Sequence, residues 1–290
     1  TDTFEPGSTM KPITIALALE KGIVTPTTMM PIGHLQIGKK VITDTHPYGV
    51  LSVAQIIQKS SNIGTTRIAL QMEPEDMWGM FQAVGFGQAP KLGFPGAVAG
   101  LVKPYDKWGK LDQATMSFGY GISTSLFQLA KAYTIFARDG ELVPISMLKV
   151  DKPPVGTRVL NPKTAIDMRN MLELVTQEGG TAIKAQVTGY RVGGKTGTAH
   201  KSMGKAGYAS NKYDGFFVGI APISNPRIVV AVVIDEPTAG SHYGGDVAAP
   251  VFSSITGTAL RSLGVPPDAA MKELVQNLDP SLTQKVVLKR

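Results

Sequence analysis

Arg191-Val192-Gly193-Gly194-Lys195-Thr196-Gly197-Thr198-Ala199-His200 is the stretch whose reading decides the fold. It crowds glycines, a lysine and two threonine hydroxyls together, and apolar runs follow at Gly215 to Pro222 and Arg227 to Asp235. Two readings compete. In the first, Gly189 to Thr196 matches G-x-x-x-x-G-K-[ST], a loop that wraps nucleotide phosphates with backbone N–H groups and a lysine. Ile228 to Glu236 then imitates the apolar strand and acidic pair that hold Mg²⁺ in such enzymes. In the second, Lys195-Thr196-Gly197 lies on a strand. Lys195 and Thr198 then face a pocket, and Gly193, Gly194 and Gly197 let a substrate approach the backbone.

Context separates them. A phosphate loop must open a helix at its Lys-Thr. Here the chain continues through Gly197, Gly204 and Gly207. Each glycine costs about 1 kcal/mol against alanine in a helix, so the continuation is a poor helix. A P-loop NTPase is thereby the remote alternative.

Working outward, Ser8-Thr9-Met10-Lys11-Pro12 opens a predicted helix from about Ser8 to Lys21. Pro12 falls in its first turn, where the missing N–H is tolerated. Ser8 and Lys11 share a face one turn apart. The apolar residues run nearly all round, the mark of a buried helix, so a lysine at its mouth is informative. Thr25 to Val50 reads as irregular or short strands. Ser52-Val53-Ala54-Gln55 is a capping box for a helix to about Lys59. Ser60-Ser61-Asn62 interrupts it, either as a solvated loop or with Ser60 and Asn62 pointing into a site, and Ile63 to Met72 resumes. Glu75 to Val84 is a short helix, and Gly85 to Gly109 is a long loop of the kind that is often functional. Phe118-Gly119-Tyr120-Gly121 is a tight aromatic turn. Ser125 to Arg138 is a helix with Leu126, Leu129, Tyr133 and Phe136 on its core stripe. Asn161 is expected to cap a helix over Lys163 to Gln177.

A meander of three strands follows, at about Val192 to His200, Tyr213 to Ala221 and Arg227 to Ile234. The third is apolar on both faces, so both faces of the sheet should be covered. Asp246 to Ser262 reads as a last helix. No internal repeat is evident. The fold class is α+β, an antiparallel sheet sandwiched between helical layers.

Composition bounds function. The chain has 290 residues, 43% hydrophobic, enough for a substantial core. Without cysteine it excludes disulfides and thiolate catalysis. The longest purely apolar run, Ile228 to Ile234, is too short to span a bilayer. The net charge of +7 is scattered, without aromatic interleaving, and reads as a solvated surface rather than a nucleic-acid site. His34, His46, His200 and His242 show no metal-ligand spacing. Neither metal nor cofactor is expected.

Ser8-x-x-Lys11, Ser60-x-Asn62 and Lys195-Thr196-Gly197-Thr198 occur in the order known for penicillin-binding proteins and class A β-lactamases. The surrounding text, Phe4-Glu5-Pro6-Gly7-Ser8-Thr9-Met10-Lys11-Pro12, Ser60-Ser61-Asn62-Ile63-Gly64 and Gly193 to Ala199, resembles class B penicillin-binding proteins. The resemblance runs from Asp2 to about Leu263. It implies a transpeptidase domain over 1–263, a C-terminal tail over 264–290, and a sheet whose N-terminal strands are absent from this chain. His200 departs from the basic residue common at its position.

The resemblance also implies roles. Ser8 is the expected nucleophile and Lys11 its base. Ser60 would relay a proton, and Asn62 would hold Lys11 and a substrate amide. Lys195, Thr196, Gly197 and Thr198 would bind the terminal carboxylate of a D-Ala-D-Ala stem peptide or of a β-lactam. The N–H groups of Ser8 and Thr198 would form an oxyanion hole. Tyr120 and Tyr243 are candidates to line the pocket, against an ordinary core or surface role. By resemblance the domain acts on the periplasmic side of the inner membrane at the division septum. Its anchor lies outside this chain, and its partner polymerises glycan. Rival readings are a β-lactamase or D,D-carboxypeptidase, and a non-catalytic β-lactam sensor.

Overall fold

The computed structural model describes residues 2–93, 95–152, 154–202 and 207–270. Its centre is an antiparallel sheet of β1 (Gly193–Ser202), β2 (Tyr208–Ala221) and β3 (Ile228–Asp235), with β2 in the middle. The glycine-rich stretch is therefore a strand, and the phosphate-loop reading falls. Lys195 pairs with Val218 and Thr198 with Gly215 on β2, while Asp214 stands opposite Asp235 on β3.

Helices cover both faces. They are α1 (Lys11–Glu20), α2 (Val53–Lys59), α3 (Asn62–Ala69), α4 (Pro74–Ala83), α5 (Lys110–Ser117), α6 (Leu126–Ala137), α7 (Pro162–Leu174) and α8 (Ala249–Ser262). α6 and α8 both pack on β3, and α7 packs on β1 and on α1. Phe217, Val218 and Ile220 of β2 are buried, with Phe252 of α8 edge-on to Phe217 at 4.7 Å. The remaining core joins α1 (Ile13, Ile15) to Phe81, Tyr133 and Phe136. Among the described residues no helix is long and apolar enough to cross a membrane.

β3 is covered less fully than its composition predicts. Most of its residues are half-buried, and its outer edge has no strand partner among the described residues. A cavity of about 870 Å³ lies beside it, lined by Phe4, Leu126, Phe127, Val233 and Asp235 among others.

Several boundaries move. The predicted Ser8 helix begins as a tight 3-10 turn, Gly7–Met10, before α1 proper. Thr25 to Val50 resolves into short strands: Leu35–Ile37 pairs with Lys40–Ile42, and Met29–Pro31 with Val50–Ser52. α5 lies where no helix was expected. The last helix is preceded by a separate one-turn α-helix, Gly244–Val247. The Ser52 capping box is present as read. Asn161 makes no side-chain cap; its amide reaches the Glu20 carboxylate, which tethers α7 to α1. Residues just past 263 remain in contact with the fold. Val265 is buried, Tyr190 donates its hydroxyl proton to the Val265 carbonyl at 2.7 Å, and Asp268 accepts from the Arg191 N–H at 2.7 Å. The rest of the tail, 271–290, lies outside the described residues.

Candidate active site

The nucleophile candidate is presented by backbone geometry. Gly7 takes φ +53°, a conformation that favours glycine, and so turns the chain into the 3-10 segment that carries Ser8. Pro12 sits in the first turn of α1, where an absent N–H loses nothing. Two backbones press on this turn. Gly7 N–H donates to the Gly119 carbonyl at 3.2 Å, and a Cβ on Gly119 would fall 2.1 Å from the Gly7 oxygen. On the β1 side, a Cβ on Gly197 would lie 3.1 Å from the Pro6 oxygen. Glycines at both places let the aromatic turn and β1 close on Ser8.

Two lysines converge beside it. Lys11 Nζ lies 2.7 Å from Ser8 Oγ, donates to the Ser60 carbonyl at 2.7 Å, and lies 3.0 Å from Ser60 Oγ. Lys195 Nζ donates to the same Ser60 Oγ at 2.8 Å and to the Thr196 carbonyl at 3.2 Å. Both lysines are 0% exposed. Burial lowers the Lys11 amine to about 7, against the opposing pull of the Asp44 carboxylate. Lys195 is held well below its ordinary value, by burial first and by Lys11 second. Burial thus carries the shift at Lys11, and the lysine–lysine repulsion falls on Lys195. An ammonium offers only donors, whereas a neutral amine offers a lone pair to the Ser8 hydroxyl proton.

Ser60 reaches the lysines because α2 stops there. It closes α2 in the left-handed conformation at φ 61°, and Ser61 then caps α3, accepting from the Gly64 N–H at 2.9 Å. The three small polar residues are thus a break between two buried helices and not a solvated loop.

The break is held by Asp44, which sequence reasoning missed. Its Oδ2 accepts from Ser61 Oγ at 2.5 Å, and its Oδ1 accepts from the N–H groups of Asn62 at 2.5 Å and Ile63 at 3.1 Å. Asp44 sits in a Pro/Gly/Thr-rich stretch without periodicity; the one available clue was an acid near helix N–H groups, which only the fold reveals.

Asn62 departs from expectation. Its amide donates to the Thr43 carbonyl at 2.9 Å, and no hydrogen bond joins it to Lys11 among the described residues. Lys195 is turned to Ser60 instead of standing free in the cleft. Thr196 Oγ1 lies 2.8 Å from Thr181 Oγ1, and Thr198 Oγ1 accepts from the Gly244 N–H at 3.1 Å. Gly197 lies between them, against the Ser8 turn.

Tyr243, beside that Gly244, is 54% exposed. Next to it, His242 stacks on Tyr213 at 3.9 Å, and Tyr213 contacts His200 at 4.5 Å. Tyr120 is partly buried, edge-on to Phe118 at 5.9 Å and to Tyr208 at 6.0 Å. The cavity beside β3 includes none of the Ser8, Lys11, Ser60 and Lys195 group. Volume and chemistry disagree here, and the convergent nucleophile and buried amines mark the site.

Comparison with known proteins places this geometry among relatives. Residues 1–257 match the model of the penicillin binding protein transpeptidase domain. A Neisseria flavescens protein named "Probable peptidoglycan D,D-transpeptidase PenA" is 48% identical over 267 residues, covering 92% of this chain and 66% of that protein. The peptidoglycan D,D-transpeptidase FtsI of Escherichia coli strain K12 is 39% identical over 269 residues, covering 93% of this chain and 46% of that protein. The chain therefore spans between about half and two thirds of these relatives. The apo structure of the TP domain from Burkholderia pseudomallei penicillin-binding protein 3 superposes with a TM-score of 0.89 at 55% identity, covering 93% of this chain and 82% of that one.

Proposed function

The chain belongs to the penicillin-binding protein transpeptidase domain family, and from that premise we propose that it is the catalytic domain of a serine-type peptidoglycan D,D-transpeptidase. The observation that carries the reading is the hydrogen-bonded group of Ser8, Lys11, Ser60 and Lys195, with both amines buried and held toward neutrality.

Ser8 Oγ attacks the carbonyl between the two D-alanines of a donor stem peptide. Its proton passes to the neutral Lys11 amine, 2.7 Å away. The N–H groups of Ser8 and Thr198 receive the developing oxyanion, and the glycines that press β1 onto the Ser8 turn support that pairing. Ser60, touched by both amines, returns a proton to the departing D-alanine amine. Thr196, Gly197 and Thr198 hold the terminal carboxylate, with the peptide laid along the outer edge of β1. An acceptor amine from a neighbouring stem peptide then attacks the acyl-Ser8 ester and frees Ser8. A β-lactam enters by the same route, its ring amide in place of the scissile bond.

The reading extends to the whole protein. The domain works outside the inner membrane, anchored by a segment beyond this sequence, with a glycan-polymerising partner at the division septum. Residues 1–263 with the packed segment that follows form the catalytic unit.

A β-lactamase shares acylation and differs in hydrolysing the ester. Hydrolysis needs a base aimed at a water on the acyl carbonyl. No carboxylate hydrogen-bonds Ser8 or Lys11 among the described residues, and Asp44 is occupied by the α3 terminus. A chromogenic cephalosporin should give a burst of about one equivalent and then a near-flat line, the signature of an accumulating acyl-enzyme. Sustained turnover would establish a β-lactamase instead.

A further inference from the structure

Glu5 lies outside the three motifs, just upstream of Ser8. Its carboxylate stands where three segments meet. Oε1 accepts from the backbone N–H of Gly121 at 2.8 Å and from the phenol of Tyr208 at 3.0 Å. Oε2 is buried and has no hydrogen-bond partner among the described residues. An unpartnered buried carboxylate oxygen is unfavourable, and it persists where the other contacts of the group require that placement.

The backbone shows what those contacts hold. Phe4 and Thr124 exchange both of their backbone hydrogen bonds, each at 3.0 Å. Three residues on from Phe4, Gly7 donates to Gly119, five residues back from Thr124. Residues 4–7 thus run antiparallel against 119–124, and Glu5 supplies a side-chain tie between these two backbone links. There is no slack at Gly119, where even a methyl group would strike the Gly7 oxygen. A shift of the aromatic turn is therefore transmitted to Gly7, and through it to the N–H of the next residue, Ser8.

The second contact reaches the β1–β2 hairpin. Tyr208 opens β2 and, beyond the irregularity that separates it from the Tyr213–His200 pair, pairs with Ser202 on the part of β1 that runs past Thr198. Tyr208 also lies edge-on to Tyr120, so its ring and its hydroxyl both seat on the Glu5 junction. Burial and the adjacent Glu5 carboxylate hold the Tyr208 phenol protonated far above its ordinary range, so it remains a donor. Ser8 and Thr198, the two residues assigned to the oxyanion hole, are each flanked by a segment that ends on Glu5.

We propose that Glu5 is a positioning residue for acylation, whose carboxylate ties the Ser8 turn, the Phe118–Gly121 turn and the Tyr208 arm into one register. The inference rests on the acylation chemistry proposed above. It acts on geometry, so reach matters and charge does not. Glu5→Gln keeps an oxygen at the same reach for both donors, Glu5→Asp keeps the charge but falls short, and Glu5→Ala removes the tie.

The test is stopped-flow acylation of the full chain by a chromogenic β-lactam over a range of concentrations, which separates the limiting rate from the affinity of the preceding complex. Glu5→Ala and Glu5→Asp should lose about tenfold to a hundredfold in limiting rate, the scale of a sub-ångström to ångström misplacement, with affinity little changed. Glu5→Gln should recover most of the rate. Tyr208→Phe should show a smaller loss that adds nothing in the Glu5→Ala background. A Glu5→Ala chain that acylates at the parental limiting rate overturns the inference, as does a loss that Glu5→Gln fails to recover. If Glu5→Ala does not fold, Tyr208→Phe decides: a lowered limiting rate at unchanged affinity supports the tie, and a parental rate overturns it. A parental chain that is never acylated overturns the proposed function itself, a result distinct from an acylating parent with indifferent variants.

Discussion

Replacing Asp44 should separate two effects that its carboxylate combines. Its oxygens take the first two N–H groups of α3 and the Ser61 hydroxyl, and its charge raises the affinity of Lys11 for a proton. Asp44→Ala removes both. The loss resembles that of a helix cap, about 1 kcal/mol, plus a charge at a helix N-terminus, roughly 0.3–1 kcal/mol. The buried Ser61 hydroxyl also loses its acceptor. Together the cost should be about 2 kcal/mol, since Asn62 is not fully buried and water can replace part of the lost bonding. For a domain of this size that lowers the melting temperature by about 4–8 °C. Ser60 should lose its fixed aim, and the limiting acylation rate should fall. Asp44→Asn keeps the Oδ1 acceptor for the two N–H groups, removes the charge, and puts an NH2 donor where Oδ2 accepted from Ser61, whose hydroxyl oxygen can accept from it instead. Its stability should change less, and without the Asp44 charge the pH midpoint of its acylation rate should drop below the parental value near 7. Calorimetry and stopped-flow acylation across pH measure both. An Asp44→Asn midpoint equal to or above the parental one would falsify the electrostatic link to Lys11.

Other expectations follow from the same geometry. Lys11 has a folded-state pKa lowered to about 7, so its base form grows as pH rises through that value. The limiting acylation rate should rise with it and level above; a rate flat from pH 5 to 9 would exclude Lys11 as the base, the window being roughly two units either side. Lys11→Met removes the base and a buried amine together. Acylation should fall by roughly 10²–10⁴, and stability in calorimetry should hold or increase because a costly buried polar group is gone. An active Lys11→Met chain would assign the proton to another group. Thr198→Val should cost acylation about 1.5–3 kcal/mol, the value of a hydrogen bond to a charged group. An unchanged acylation rate in the Thr198→Val chain would place the carboxylate elsewhere.

The fold was legible where local rules and burial agree. The Ser52 capping box, the Leu129, Tyr133 and Phe136 core stripe of α6 and the meander of β1 to β3 all follow from period and punctuation, whereas Leu126 of the same predicted stripe lines the cavity beside β3; glycine spacing after Lys195 made a phosphate loop only the remote alternative. The motif residues Ser8, Lys11, Ser60 and Lys195 were legible as three separated signals, and the structure brings them within hydrogen-bond reach of one another. What was not legible depends on contacts between distant segments. Asp44 meets α3 from a separate loop, and Asn62 spends its amide on Thr43, so a motif position did not disclose its partner. Asn161 had the residue type and place of a cap, yet its Nδ2 is turned to donate to the Glu20 carboxylate, and its Oδ1 accepts from no helix N–H. α5 went unread between the Gly85–Gly109 loop and the aromatic turn, because its hydrophobic face is short and it packs on α3. Glu5 had no visible role until Gly121 and Tyr208 folded onto it.

Intact-mass spectrometry after incubation with a penicillin, followed by peptide mapping, tests the central claim most directly. The chain should gain the mass of one penicillin, with the adduct on Ser8, and Ser8→Ala should gain none. An adduct mapped to any other residue, or undiminished labelling of Ser8→Ala, would contradict the account.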